Sequence, residues 1–176
     1  AVSFDNHVGH DYLEDYEERF ESYHRKESRI KFDLELFNKI TKGGLPNKTL
    51  NIALAGTGVG KSLFMCHHAS SVLLEGKNVL YITLEMAEEK IAERIDANLL
   101  NVNIQNITEL PKPMFESKVN NLAKKTQGTL IIKEYPTASA HSGHFKSLLN
   151  ELALKKSFTP DIIFIDYLNI CASSRY

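Results

Sequence analysis

Apolar and polar positions fall into alternating blocks along this chain. Segments 50–55, 79–84, 129–134 and 161–166 are short apolar runs bounded by turn residues, the pattern of strands buried on both faces. Between them apolar residues recur at three- and four-residue steps, which predicts helices over 62–74, 87–99, roughly 114–125 and 144–156. Strand–helix alternation demands crossover connections, so the expected architecture is α/β, a mainly parallel sheet flanked by helices. A short helix around Phe37–Ile40 leads into the turn Gly43-Gly44-Leu45-Pro46-Asn47. Upstream, about 10–26 reads as a separate helix. Tyr12, Leu13, Tyr16, Phe20 and Tyr23 form one aromatic stripe, acidic residues lead and basic ones follow. The stripe suits either packing on its own domain or docking on a neighbouring subunit. Residues 1–9 are polar and without a period.

The first apolar run ends in Gly56-Thr57-Gly58-Val59-Gly60-Lys61-Ser62, with a helical pattern behind it. That strand–turn–helix context is what a phosphate-binding loop requires. Glycines let backbone amides approach phosphate oxygens, and the helix N-terminus adds its own amides and positive dipole end. Lys61 would reach the β- and γ-phosphates of a nucleoside triphosphate such as ATP, and the Ser62 hydroxyl would ligate magnesium. The pattern's first glycine is Ala55 here, the smallest substitute.

Two carboxylates follow at predicted strand ends, where an open α/β sheet faces its ligand crevice. Glu85 ends the 79–84 run and is placed to take a proton from an attacking water, or to cap the next helix. Asp166 ends Ile162-Ile163-Phe164-Ile165 and is placed to hold magnesium, directly or through water. The histidines are less promising. His67 and His68 diverge by about 100° on a helix, too far for a shared metal. His141 and His144 have no acidic or cysteine cluster beside them in sequence and read as surface.

Composition changes the picture little. A chain of 176 residues, 43% apolar and 24% charged with net charge −1, suits one soluble domain. No apolar run approaches a membrane span, and near-neutral charge gives no global nucleic-acid signature. Cys66 and Cys171 read as small core fillers of a protein in a reducing cytosol.

With these residues placed, the chain resembles the RecA-like ATPase domain of DnaB-type hexameric replicative DNA helicases, most of all their T-even bacteriophage branch. The matching pieces are Gly43-Gly44-Leu45-Pro46, Ala55 to Ser62, Tyr81-Ile82-Thr83-Leu84-Glu85-Met86 and Ile163-Phe164-Ile165-Asp166-Tyr167-Leu168. The resemblance implies a motor that hydrolyses ATP with magnesium, moves 5′–3′ on single-stranded DNA and unwinds duplex at the replication fork. It implies that Glu85 activates water and Asp166 serves magnesium. It also implies a homo-hexamer, primase and helicase-loader partners, a linker helix packed on the adjacent protomer, and the host cytoplasm if phage-encoded. On this reading 1–31 is an N-terminal segment with the linker helix, and 32–176 is the N-terminal part of the ATPase domain. The family's further strands, γ-phosphate sensor, arginine finger and DNA-binding loops are then expected beyond Tyr176, and its primase-associated domain before Ala1. The fragment alone is expected to be inactive.

Three other readings share parts of the pattern. A RecA-like ATPase of strand-exchange or clock type has the same fold without unwinding. A small-molecule P-loop kinase needs an arginine-rich lid, yet Arg94 is the one arginine between Ser62 and Asp166. A non-catalytic nucleotide-binding subunit would not need Lys61, Ser62, Glu85 and Asp166 together.

Overall fold

The computed structural model describes residues 9–25 and 27–173. In chain order the elements are α1 (Tyr16–His24), β1 (Arg29–Ile30), α2 (Glu35–Ile40), β2 (Leu45–Pro46), α3 (Lys61–Leu74), β3 (Val79–Thr83), α4 (Glu88–Leu99), α5 (Ile104–Ile107), α6 (Lys112–Ala123), β4 (Leu130–Glu134), α7 (Ser142–Lys156), β5 (Ile162–Asp166) and a 3-10 turn at Leu168–Ile170. The main sheet is parallel throughout, in the order β4-β3-β5. Register sets Tyr81 opposite Ile132 and Phe164, and Thr83 opposite Glu134 and Asp166.

Every residue of β3 is buried, as befits the central strand of a sheet covered on both faces. Its side chains alternate between two cores. Val79 and Tyr81 pack with Met65, Ala69 and Val72 of α3, Ile91 and Ile95 of α4, and Phe164. Leu80 and Ile82 pack on the other face with Leu148 and Leu152 of α7 and with Phe158. The period-2 strand and period-3.6 helices thus interlock as a helix–sheet–helix sandwich. Among the described residues no helix is long and apolar enough to cross a membrane.

Helix α3 stops where expected. Gly76 is left-handed at φ 79°, and the amides of Gly76 and Lys77 return to the carbonyls of Leu73 and Val72. The Gly43-Gly44 turn joins α2 to β2, and β2 pairs antiparallel with β1. Gly44 is required there: a Cβ would lie 2.3 Å from the Ile30 carbonyl oxygen.

Two expectations are corrected. Segment 50–55, expected as a buried strand, forms no strand, and Leu50, Ile52 and Leu54 are 82%, 72% and 95% exposed. A strand exists only through its ladder of backbone bonds. The bonds around this run are local, from Thr49 to Pro46 and from Asn51 to Thr49, and the sheet ends at β5. The N-terminal helix is also shorter than 10–26. Asp11 accepts the amides of Leu13 and Glu14 and holds Tyr12–Asp15 as a turn, so helix begins at Tyr16. Its expected end at Lys26 lies outside the described residues. The stripe stays exposed, with no residue of α1 buried.

Candidate nucleotide-binding site

The loop from Gly56 to Gly60 turns sharply into α3. Gly58 and Gly60 have φ of 74° and 105°, a left-handed backbone that residues with a Cβ rarely adopt. Space is not what excludes side chains there, since a Cβ at either would meet nothing within 4 Å. Gly60 caps the helix, and its carbonyl receives the Phe64 amide at 2.9 Å. Lys61 and Ser62 are therefore the first two residues of α3, half-buried at its N-terminal end, while Thr57 and Val59 are exposed. An anion meeting this end finds unpaired amides and the positive dipole end together.

The fold carries Asp166 to the same place. The Lys61 Nζ lies 3.2 Å from Asp166 Oδ1, an ion pair between a half-buried ammonium and a carboxylate that is 1% exposed. Among the described residues Oδ1 accepts no hydrogen bond. The ammonium also sits 3.7 Å from the centre of the Tyr167 ring. Lys61 thus rests between a negative charge and a π face, both of which favour a cation. The other Asp166 oxygen, Oδ2, accepts a hydrogen bond from the Tyr81 hydroxyl at 3.0 Å. Behind that hydroxyl stands the Cys66 thiol at 3.8 Å. Burial, then the neighbouring Cys66 and Asp166, push the Tyr81 hydroxyl far above its ordinary pKa, so it stays a donor. Burial likewise raises the Cys66 thiol, and that cysteine is an inert core residue.

Glu85 lies two residues past Thr83, hence on the same C-terminal edge of the sheet as Asp166. Its side chain is exposed and makes no hydrogen bond or ion pair with any described residue. The turn beneath it is fixed: the Thr83 hydroxyl donates to the Met86 carbonyl and accepts the Met86 amide, and the Leu84 amide donates to the Asp166 carbonyl. The cap of α4 is not Glu85. Ala87 holds that position, and the Glu88 amide donates to the Glu134 carboxylate at 3.1 Å while the Glu134 amide donates to the Glu88 carboxylate at 2.7 Å. The structure therefore brings Lys61 and Asp166 into contact, seats Ser62 beside Lys61, and sets Glu85 apart on the shared edge.

Residue-by-residue reasoning missed Tyr81, Thr83 and Tyr167 as neighbours of the site. The alternation of β3 places Tyr81 and Thr83 on one face, but which face is fixed only by the register with β5. The histidines find local work. His67 bridges Asp33 at 2.5 Å and Asn98 at 2.8 Å. His68 is buried against Phe32, Phe64 and Phe164, and burial lowers its pKa to about 4. His141 and His144 form a reciprocal cap on α7.

Comparison with known proteins gives one consistent result. The model of the DnaB-like helicase C-terminal domain matches residues 30–176. A DnaB-like replicative helicase of Enterobacteria phage T4 is 49% identical over 178 aligned residues, covering 99% of this chain and 38% of its own length. The DNA repair protein RadA of Campylobacter jejuni is 32% identical over 110 residues, 62% of this chain and 24% of its own. A probable plasmid replicative DNA helicase of Chlamydia psittaci is 29% identical over 130 residues, 70% of this chain and 27% of its own. A solved structure of a DnaB-like replicative helicase, described with its interactions with primase, superposes at TM-score 0.63 and 17% identity. It covers all of this chain and 43% of the other, which bears on fold alone. The chain spans less than half the length of each of these proteins.

Proposed function

The chain belongs to the DnaB-like helicase C-terminal domain family, and from that premise we propose that it is the ATP-hydrolysing part of a replicative DNA helicase. In this reading hydrolysis drives 5′–3′ movement on single-stranded DNA and unwinding of duplex at the replication fork. The observation that carries it is the meeting of Lys61 with buried Asp166 at the head of the glycine loop. A lone buried carboxylate oxygen is costly, and here a cation already answers it.

The residues suit magnesium. Asp166 Oδ1 and the Ser62 hydroxyl are hard oxygen donors, and Oδ1 has no hydrogen bond to lose. No group of three or more His, Cys, Asp and Glu gathers among the described residues, which fits a cation that takes further ligands from phosphates and water. Bound there, magnesium would offset charge on the phosphate oxygens. Lys61 would swing from Asp166 to the β- and γ-phosphates, the loop amides would orient them, and Glu85 would take the proton of the attacking water. With no hydrogen-bond or ion-pair partner among the described residues, that carboxylate is available for the task.

The functional unit we propose is a homo-hexamer, with the exposed Tyr12–Tyr23 stripe laid on a neighbouring protomer. Primase and a loading factor would be its partners, primase being named with the structural neighbour. One experiment tests the whole: measure the solution mass of the nucleotide-bound full-length protein, and its ATP hydrolysis with and without single-stranded DNA. The expected outcome is a hexamer stimulated by DNA, with Lys61→Ala inactive and weak in triphosphate binding. Wild-type turnover in Lys61→Ala would overturn the site. A monomer indifferent to DNA would overturn the motor.

A further inference from the structure

Asp166 is held from behind. The Tyr81 hydroxyl donates to Oδ2 at 3.0 Å from a side chain that is fully buried, and the Cys66 thiol closes off the far side of that hydroxyl. The Tyr81 ring stacks on Phe164, the residue opposite it in β5, with centroids 5.7 Å apart and planes 19° from parallel. From that seat the hydroxyl reaches along the sheet face to the carboxylate two residues farther up β5. The two oxygens of Asp166 thereby become unlike. Oδ2 is tied into the core, and Oδ1 faces Lys61 and the glycine loop.

We propose that Tyr81 is a positioning residue for the magnesium carboxylate: its hydroxyl fixes the rotation of Asp166 so that Oδ1 alone is presented to a nucleotide-bound cation. The inference rests on the reading of Asp166 as a magnesium residue. A carboxylate turns readily about its last bond, because that torsion has broad, shallow wells. Magnesium tolerates little deviation from octahedral geometry, so a wandering ligand binds it poorly. A donor that cannot itself move removes the freedom. Tyr81 has no room to move between α3 and the sheet.

A competing account is that a buried tyrosine hydroxyl only needs some partner and finds one in Asp166. The two accounts diverge in one measurable quantity. If Tyr81 merely satisfies itself, losing the hydroxyl lowers stability and leaves the response to magnesium alone. If it positions Asp166, losing the hydroxyl weakens the response to magnesium even where folding is intact.

The test uses the full-length protein and a fluorescent ADP analogue, titrated with Mg²⁺ to find the concentration giving half-maximal enhancement of binding. Tyr81→Phe keeps the ring stack and should raise that midpoint roughly tenfold, the usual scale for loss of an outer-shell partner, with magnesium-free binding unchanged. Phe164→Leu removes the ring beneath Tyr81 but spares the hydroxyl; it should lower the melting temperature and leave the midpoint in place. Asp166→Asn should abolish the enhancement. A wild-type midpoint in Tyr81→Phe, beside an Asp166→Asn variant that has lost its response, overturns the inference and leaves the site standing. Equal shifts in Tyr81→Phe and Phe164→Leu make the effect one of packing and also overturn it. An undiminished response in Asp166→Asn removes the site itself.

Discussion

Two apolar runs in this chain look alike and end differently. Val79–Leu84 and Leu50–Ala55 are equally short, and each delivers residues we assign to chemistry, Glu85 from the first and the glycine loop from the second. The first is wholly buried, paired on both sides and covered by α3 and α4 on one face and α7 on the other. The second has no ladder and turns Leu50, Ile52 and Leu54 to solvent. Composition does not separate them; neighbours do. An apolar run states that burial would be favourable, and a strand forms only where another strand's N–H and C=O groups stand in register.

That contrast can be tested first through what the buried run supports. Glu85 stands on a fixed turn, so Glu85→Gln should leave nucleotide affinity intact and slow hydrolysis by about 10²–10⁴-fold, the usual contribution of a general base. Lost affinity with an unchanged rate per bound nucleotide would make Glu85 structural. The next test is direct. Ile82→Ala should cost about 2–5 kcal/mol in denaturant unfolding, and Ile52→Ala less than about 0.5 kcal/mol. Equal costs would show that the second run is buried as deeply as the first. The smallest effect comes from His68, which joins α3 to Phe164 of β5. Its folded pKa is about 4, below its ordinary value of 6.5, because burial disfavours the charged ring. The unfolded chain therefore binds the proton first as pH falls. The contribution of His68 is complete above pH 6.5 and is lost progressively towards about pH 4. From pH 7 to pH 5 this amounts to about 2 kcal/mol, and His68→Phe should flatten that slope. A slope that survives the substitution would assign it to other groups.

Much of the fold is legible in sequence because it rests on period. Helices α3, α4 and α7 and strands β3, β4 and β5 lie within about two residues of where their apolar spacing puts them. Helix α5 is not legible, since its four residues carry no period and start on a bond that the Gln105 amide donates to the Asn103 side chain. The turn at Tyr12–Asp15 was hidden for a related reason: the stripe runs through it, and a single Asp11 carboxylate decides against helix. In the candidate site, the glycine loop and both carboxylates are proposed from sequence because their types and spacing are what the chemistry would require, and the structure brings Lys61 to Asp166 while leaving Glu85 apart. Tyr81 could not. Its reach to Asp166 depends on a strand register that no local pattern encodes.

The turn carrying Glu85 is fastened at both ends, by the Thr83 hydroxyl on one side and by the exchange between Glu88 and Glu134 on the other. With Leu84 and Met86 also bonded, what swings between those moorings is the exposed Glu85 side chain. An exposed side chain changes rotamer on a timescale of about picoseconds to nanoseconds. Enzymes commonly turn over at about 1–10³ s⁻¹. On the proposed role of Glu85, the carboxylate resets many times within a turnover of that length, so its own reorientation would not limit hydrolysis.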